Sequence, residues 1–447
     1  MKKSLLILTL TLIACGVFSQ NLKRRASLGA GLINLSDSIV KANNLKSNEG
    51  CFINSINENS SAKLLKLEVG DVIQQFNNKK ILDKKEVLSI ISTLKEGAEV
   101  KIIITRKGKQ KTISGKLLGA KLDNYSYADV IYSEVPFEKG FLRNIIIKPK
   151  GTGKFPVVFF VQGYNCASID NMNESHPYEK ILMGLVQKGY AVCKVEKPGM
   201  GDCDGTKSCR EIDFKTELRA FDAAYNMLNT YECIDTSKIY IFGHSMGGII
   251  APLMTTKIKP RGIAVYGTTA RSWFEYFVEQ MRIQNFIMGE DYAQNDSAFS
   301  NRLQLCYDFM INKKTPKQLN QNPEFKTQWE YVEPDLIMDR NYLYWQQLQD
   351  YSMINGWKNY DGKVLSIWGE CDFVAFSRYD HELIAEIVNK YHPGNGIFTT
   401  IPKSDHSFTK VNDLKHSSDM WRNWNYKSKN FNPEIIDVLI NWMQKLN

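Results

Sequence analysis

The chain has 447 residues, 43% of them apolar and 23% charged, and a net charge of +9. These proportions exclude a largely disordered chain, and the length suits two or three domains rather than one. The lysines are scattered, many of them between 63 and 121, with no aromatic-interleaved basic stripe. A solvated lysine-rich face is expected, not a nucleic-acid surface.

Lys2 and Lys3 precede an apolar run over 5–13, followed by small and polar residues. This is the layout of a secretory signal peptide over 1–19, too short to span a bilayer as a lasting helix. Val17-Phe18-Ser19 offers cleavage before Gln20, which predicts a secreted or periplasmic protein. Leu12-Ile13-Ala14-Cys15 offers the alternative, a lipobox that leaves Cys15 lipidated, and Cys15 is the one membrane attachment the sequence suggests. Export permits disulfides among the nine cysteines. Cys203 and Cys209 share a loop rich in Gly and Asp and are placed to close a short bridge, although sequence leaves connectivity open. Cys193 reads as a buried thiol in a strand. No C-x-x-C pair occurs, and no metal or organic cofactor is called for.

The first block runs over 21–120. Residues 51–56 alternate as a strand, and 60–65 read as a helical turn capped by Ser60 or Ser61. Gly70-Asp71 turns into a strand at 72–76. Over 84–94, Val87, Leu88, Ile90, Ile91 and Leu94 have helical spacing. Residues 99–106 and 111–117 read as a hairpin around Lys107-Gly108-Lys109. Leu28-Gly29-Ala30-Gly31, Gly50-Cys51-Phe52-Ile53 and Leu67-Glu68-Val69-Gly70-Asp71-Val72-Ile73 together resemble a bacterial PDZ domain. The resemblance implies that Leu28, Gly29 and Ala30 offer backbone N–H groups to a peptide's C-terminal carboxylate. The peptide then adds as an extra strand. An insert over 36–48 departs from the pattern and bears on whether that groove is open.

The second block runs over 125–447. Residues 130–135 and 141–147 look like a leading antiparallel pair. Apolar runs at 155–161, 191–195, 238–242, 263–266, 364–368 and 396–401 alternate with helical stretches, the signature of a doubly wound α/β sheet. Residues 268–361 break the alternation. They are helical in pattern and rich in aromatics, including Trp273, Tyr276, Phe277, Trp329 and Trp345. They read as a cap, most of whose aromatics pack its own core.

Gly243-His244-Ser245-Met246-Gly247 sits between a buried strand and a helix start. A serine on so sharp a turn needs glycines on both sides and projects Oγ into the cleft. Serine alone is a poor nucleophile and needs a base. His406 lies just past the last strand, in Ser404-Asp405-His406-Ser407-Phe408. His176 is the leading alternative; His244 reads as packing, and His381, His392 and His416 as surface or helix residues. Asp372, after the strand at 364–368, is the expected partner of His406. Glu370 is a lesser candidate, and the side chain of Asp405 should diverge from the imidazole. The oxyanion donors are expected to be the backbone N–H groups of Met246 and of Tyr164, in Gln162-Gly163-Tyr164-Asn165-Cys166.

With Pro198-Gly199-x-Gly201, these motifs resemble the α/β-hydrolase superfamily, over about 320 residues. The chain is most similar to capped esterases and serine-aminopeptidase-like hydrolases. Relatives have His-Gly where this chain has Gln162-Gly163, which puts the shape of the oxyanion hole in question. The resemblance implies an α/β-hydrolase sheet with a helical cap, preceded by a small PDZ-like α+β domain. It further implies a small ester substrate, or alternatively a peptide. An aminopeptidase needs buried carboxylates for the substrate amine, and Glu275, Glu279 and Glu290 are the cap's candidates. Since no triad residue lies in 21–120, deleting that block is expected to spare small-ester hydrolysis.

Overall fold

The computed structural model describes residues 22–446 apart from 46, 327, 330, 333 and 334. The leader expected over 1–19, and Cys15 with it, lie outside the described residues.

The N-terminal sheet runs Ala30–Asn34, Cys51–Ile56, Val72–Phe76, Glu99–Arg106, Lys109–Lys116, with Lys79–Lys80 added beside Val72–Phe76. Helix Lys84–Ser92 is capped by Asp83, whose Oδ1 accepts from the Glu86 N–H at 3.1 Å. It buries Val87 and Ile91 on Ile53, Phe76 and Ile102. Ser60, one of the two expected caps, closes the helix Ser61–Leu64. The insert forms a short helix, Asp37–Ala42.

The second sheet has eight strands: β1 (Ala128–Phe137), β2 (Gly140–Pro149), β3 (Phe155–Val161), β4 (Ala191–Val195), β5 (Ile234–His244), β6 (Gly262–Tyr266), β7 (Lys363–Gly369) and β8 (Gly396–Ile401). Their order is β8-β7-β6-β5-β3-β4-β2-β1. β2 runs antiparallel to β1 and β4, and every other pairing is parallel. Alternation within β3 shows why it is apolar throughout. Val157, Phe159 and Val161 face one core with Phe221 and Tyr225 from helix Phe214–Asn226. Val158 and Phe160 face the other, with Ile181 and Leu185 from helix Pro177–Gln187 and Leu439 from helix Glu434–Lys445. Each such side chain contributes about 1.5–3 kcal/mol by leaving water. This is the doubly wound α/β architecture read from the sequence.

Between β6 and β7 the chain forms the helices Trp273–Ile287, Tyr292–Met310, Tyr342–Gln349 and Met353–Asn359. Three two-residue strands, Tyr331–Val332, Leu336–Ile337 and Arg340–Asn341, make a small antiparallel sheet there. Runs so short carry no readable periodicity, and the sequence pattern gave a helical segment only.

The disulfide differs from the expected one. Cys209 pairs with Cys166, and Cys203 is a free buried thiol. Cys203 turns inward, its Sγ facing the Lys197 carbonyl at 3.4 Å, while Cys209 meets the loop after β3. Closing a 43-residue separation stabilises the fold by about 4 kcal/mol in the chain-entropy description.

The two domains are joined by buried charge. Arg24 Nη1 lies 2.6 Å from Asp170 Oδ2 and 2.5 Å from Asp202 Oδ2. Arg143 Nε reaches the same Asp202 oxygen at 3.0 Å, and the Arg25 N–H donates to Asp202 Oδ1 at 2.7 Å. Lys95 Nζ donates to the carbonyls of Asp202 and Cys203. Removing Arg24 leaves two fully buried carboxylates, Asp202 with Arg143 alone and Asp170 without the guanidinium that pairs with it. Arg24→Ala is therefore expected to cost about 3–5 kcal/mol in urea unfolding, and a loss under 1 kcal/mol would show the cluster to be idle. For the same reason a chain lacking 21–120 is expected to lose stability even though no described residue of that block lines the Ser245 cavity.

Candidate active site

Ser245 stands between β5 and helix Met246–Ile250 with φ 56° and ψ −122°, a conformation that side chains rarely adopt. The glycines around it are dictated by contact. A Cβ on Gly243 would lie 2.4 Å from the Gly247 carbonyl oxygen, and one on Gly247 would lie 1.9 Å from that of Val161. The Ser245 N–H donates to the Tyr266 carbonyl at 2.9 Å, which ties the turn to the end of β6.

His406 Nδ1 donates to Asp372 Oδ2 at 2.8 Å. The other Asp372 oxygen accepts from the N–H groups of Val374 at 2.9 Å and Ala375 at 2.7 Å, so the carboxylate is held at both oxygens and fully buried. Glu370 is exposed, and its Oε2 accepts from the Lys403 N–H at 2.9 Å. Asp405 turns away from the imidazole. Its Oδ1 accepts from the N–H groups of Ser407 and Thr409 and shapes the turn that presents His406.

Two other histidines support the site. His244 Nε2 donates to the His406 carbonyl at 2.9 Å, and its Nδ1 accepts from the Tyr178 hydroxyl at 2.6 Å. Burial, with His406 beside it, pushes its pKa well below the usual value, so it is a neutral prop. His381 was expected at the surface or on a helix; it is on a helix but fully buried. Its Nδ1 donates to the Ser377 carbonyl, and its Nε2 accepts from the Thr268 N–H at 3.1 Å. It thereby fixes the loop that leaves β6. A sequence gives no signal for either role, because the partners are distant along the chain. His176 caps helix Pro177–Gln187 with its ring nitrogen, and burial lowers its pKa to about 4.

Ser245, His406, Tyr164 and Met246 line one cavity of about 1020 Å³, and Asp372 lies behind His406. Trp273, Tyr276, Phe277 and Trp345 from the cap line its wall, with the Trp273 and Trp345 rings stacked at 5.4 Å. The loop after β3 is anchored away from the cavity: Lys197 Nζ donates to the Gly163 carbonyl at 2.5 Å and Arg340 Nη1 to the Tyr164 carbonyl at 2.8 Å. Glu275, Glu279 and Glu290 do not line this cavity. Glu279 is tied to Arg271, Glu290 to Arg302, and Glu275 to Ser272.

Leu28, Gly29 and Ala30 are not brought to this cavity. Gly29, at φ 66°, turns the chain into Ala30–Asn34, which is an edge strand of the N-terminal sheet among the described residues. The Leu28 carbonyl accepts from the Ala62 N–H, and that of Gly29 from the Asn57 N–H.

Comparison with known proteins finds a match in each of two stretches of the chain. Residues 26–117 match the PDZ domain family and residues 157–326 the serine aminopeptidase (S33) family. Esterase EstD of Thermotoga maritima is 22% identical over 224 residues, which is 49% of this chain and 53% of the esterase. A probable periplasmic serine protease of Haemophilus influenzae is 31% identical over 94 residues, 21% of this chain and 20% of that protein. The chain thus spans about half the length of one relative and a fifth of the other. Among solved structures, Est1E of Butyrivibrio proteoclasticus with ferulic acid bound aligns with a TM-score of 0.42 at 15% identity, covering 66% of this chain and 98% of Est1E. The acylaminoacyl peptidase of Pyrococcus horikoshii also aligns at 0.42, with 13% identity over 76% of this chain and 49% of the peptidase. Residues 26–117 thus match the PDZ domain family, and the doubly wound sheet that follows them holds the match to the serine aminopeptidase (S33) family over 157–326.

Proposed function

We propose that the chain is an exported esterase that cleaves carboxylic esters through an acyl-enzyme on Ser245. The observation that carries this reading is that His406, paired with Asp372 at 2.8 Å, lines the same cavity as Ser245. His406 takes the Ser245 proton as Oγ attacks the ester carbonyl. The tetrahedral oxyanion meets the N–H groups of Met246 and Tyr164. His406 then gives its proton to the leaving alcohol, and a water activated by the same imidazole releases the acid and restores Ser245.

The same residues suit amide cleavage, so the walls of the cavity separate the two readings. A peptidase that acts on free N-termini needs a buried carboxylate for the ammonium. Among the described residues the cavity's acids are Asp339 and Asp419, both about half exposed and paired with Arg210 and Lys415. That favours uncharged acyl groups against the aromatic wall. A panel of p-nitrophenyl esters and aminoacyl p-nitroanilides tests it. Ester turnover is expected to exceed aminoacyl amide turnover by at least about a hundred-fold in kcat/KM, the usual loss when a charged group finds no partner. Equal or greater amide turnover would make the chain a peptidase.

The disulfide Cys166–Cys209 and the leader pattern support export, since such bridges persist in oxidising compartments. Among the described residues no helix is long and apolar enough to cross a membrane. At the PDZ domain, the edge strand Ala30–Asn34 and the turn at Leu28-Gly29-Ala30 suit a peptide C-terminus added as a strand.

A further inference from the structure

The loop after β3 owes its shape to three charged residues that no motif in this chain singles out. Glu217, on helix Phe214–Asn226, is fully buried. Its carboxylate pairs with Lys197 Nζ at 3.1 Å and Arg340 Nη2 at 2.6 Å, and accepts from the Tyr344 hydroxyl at 3.1 Å. Lys197 follows β4, whereas Arg340 and Tyr344 belong to the segment between β6 and β7. The Arg340 guanidinium also lies 3.8 Å over the Tyr344 ring. Both cations are buried as completely as the carboxylate. Three charges withdrawn from water at once cost far more than packing residues would, so the fold gains something other than stability from them.

What both cations do besides neutralising Glu217 is the same. Each spends one N–H on a main-chain oxygen of the loop, Lys197 on Gly163 and Arg340 on Tyr164. A trans peptide unit is planar, and its C=O and N–H point in opposite directions. Holding the Gly163 oxygen on the Lys197 side therefore aims the Tyr164 N–H the other way. Holding the Tyr164 oxygen keeps the next peptide unit from turning. The disulfide at Cys166 limits the loop's far end.

The geometry points to Lys197, Arg340 and Glu217 as positioning residues that aim the Tyr164 N–H at the substrate oxyanion. Arg340 makes the cap part of that hole. The assignment rests on the acyl-enzyme reading above. It also answers the departure at Gln162-Gly163, because the donor's direction is set from behind the loop and not by the residue before the glycine.

Lys197→Met and Arg340→Met are the variants to make, since each leaves Glu217 with one cation. Glu217→Gln would strand two cations together and unfold the chain for an unrelated reason. Active sites are counted in each protein with a fluorophosphonate that labels a reactive serine. The rate per labelled site is then measured on a p-nitrophenyl ester, along with the affinity of a boronic acid that forms a tetrahedral adduct on Ser245. For each variant kcat per labelled site is expected to fall about 10²–10³-fold, the effect of losing one oxyanion donor. Boronate affinity should fall by a similar factor and KM change less than about three-fold. A merely structural role would reduce the labelled fraction or raise KM and leave kcat per site untouched, and either result overturns the assignment. Failure of both variants to fold overturns it too, because a positioning residue is dispensable to folding. A wild-type protein that neither turns over nor takes the label would instead sink the acyl-enzyme reading beneath it.

Discussion

Ser245→Ala is expected to lower kcat for a p-nitrophenyl ester by about a million-fold, the scale seen when a nucleophile that works with a base is removed. Ser407 and Ser418 line the same cavity, but neither stands on a strand-to-helix turn, and Ser407 Oγ already accepts from Lys427 Nζ at 3.0 Å. The fold should survive. Alanine keeps the Cβ, so the cost of holding φ at 56° is unchanged. Ser245→Gly removes that Cβ and is expected to be as inactive yet more stable, by about 1–3 kcal/mol of relieved strain. Turnover and thermal melting of the two variants check both halves. Ester turnover at the wild-type rate in Ser245→Ala would put the nucleophile elsewhere.

Asp372→Asn should cost about 10⁴-fold in kcat with little change in KM or melting temperature. The reason is specific to the surroundings of Asp372. One oxygen must accept from the Val374 and Ala375 N–H groups. An asparagine meets that demand with its carbonyl and so turns its NH₂ toward His406 Nδ1. That nitrogen, which donates in the native pair, must then accept. The ring proton moves to Nε2, and the imidazole can no longer take a proton from Ser245. A loss smaller than ten-fold would mean that another group steadies the imidazole.

The sheet and the sharp turn at Ser245 were legible in the sequence because each is a local demand. A strand buried on both faces must be apolar throughout, as 155–161 is. A serine on a sharp turn must have Gly243 and Gly247 beside it, because any side chain would meet backbone within 2.4 Å. The PDZ resemblance, matched over 26–117, was likewise read from short glycine-containing runs. The small sheet between β6 and β7 escaped because its strands are two residues each.

Pairings between distant residues were not legible. Cys209 chose Cys166 over Cys203 because Cys203 points into the core, a direction set by how the loop packs. Arg340 reaches Glu217 across 123 residues, and Arg24 reaches Asp202 across 178. In the sequence these are scattered charges of the kind that usually face water. Only folding brings them together, and burial then obliges each to find the partner that neutralises it. Sequence determined what chemistry the chain holds and on which turns. The tertiary structure decided which backbone groups that chemistry meets, because their direction depends on contacts between segments that share no local pattern.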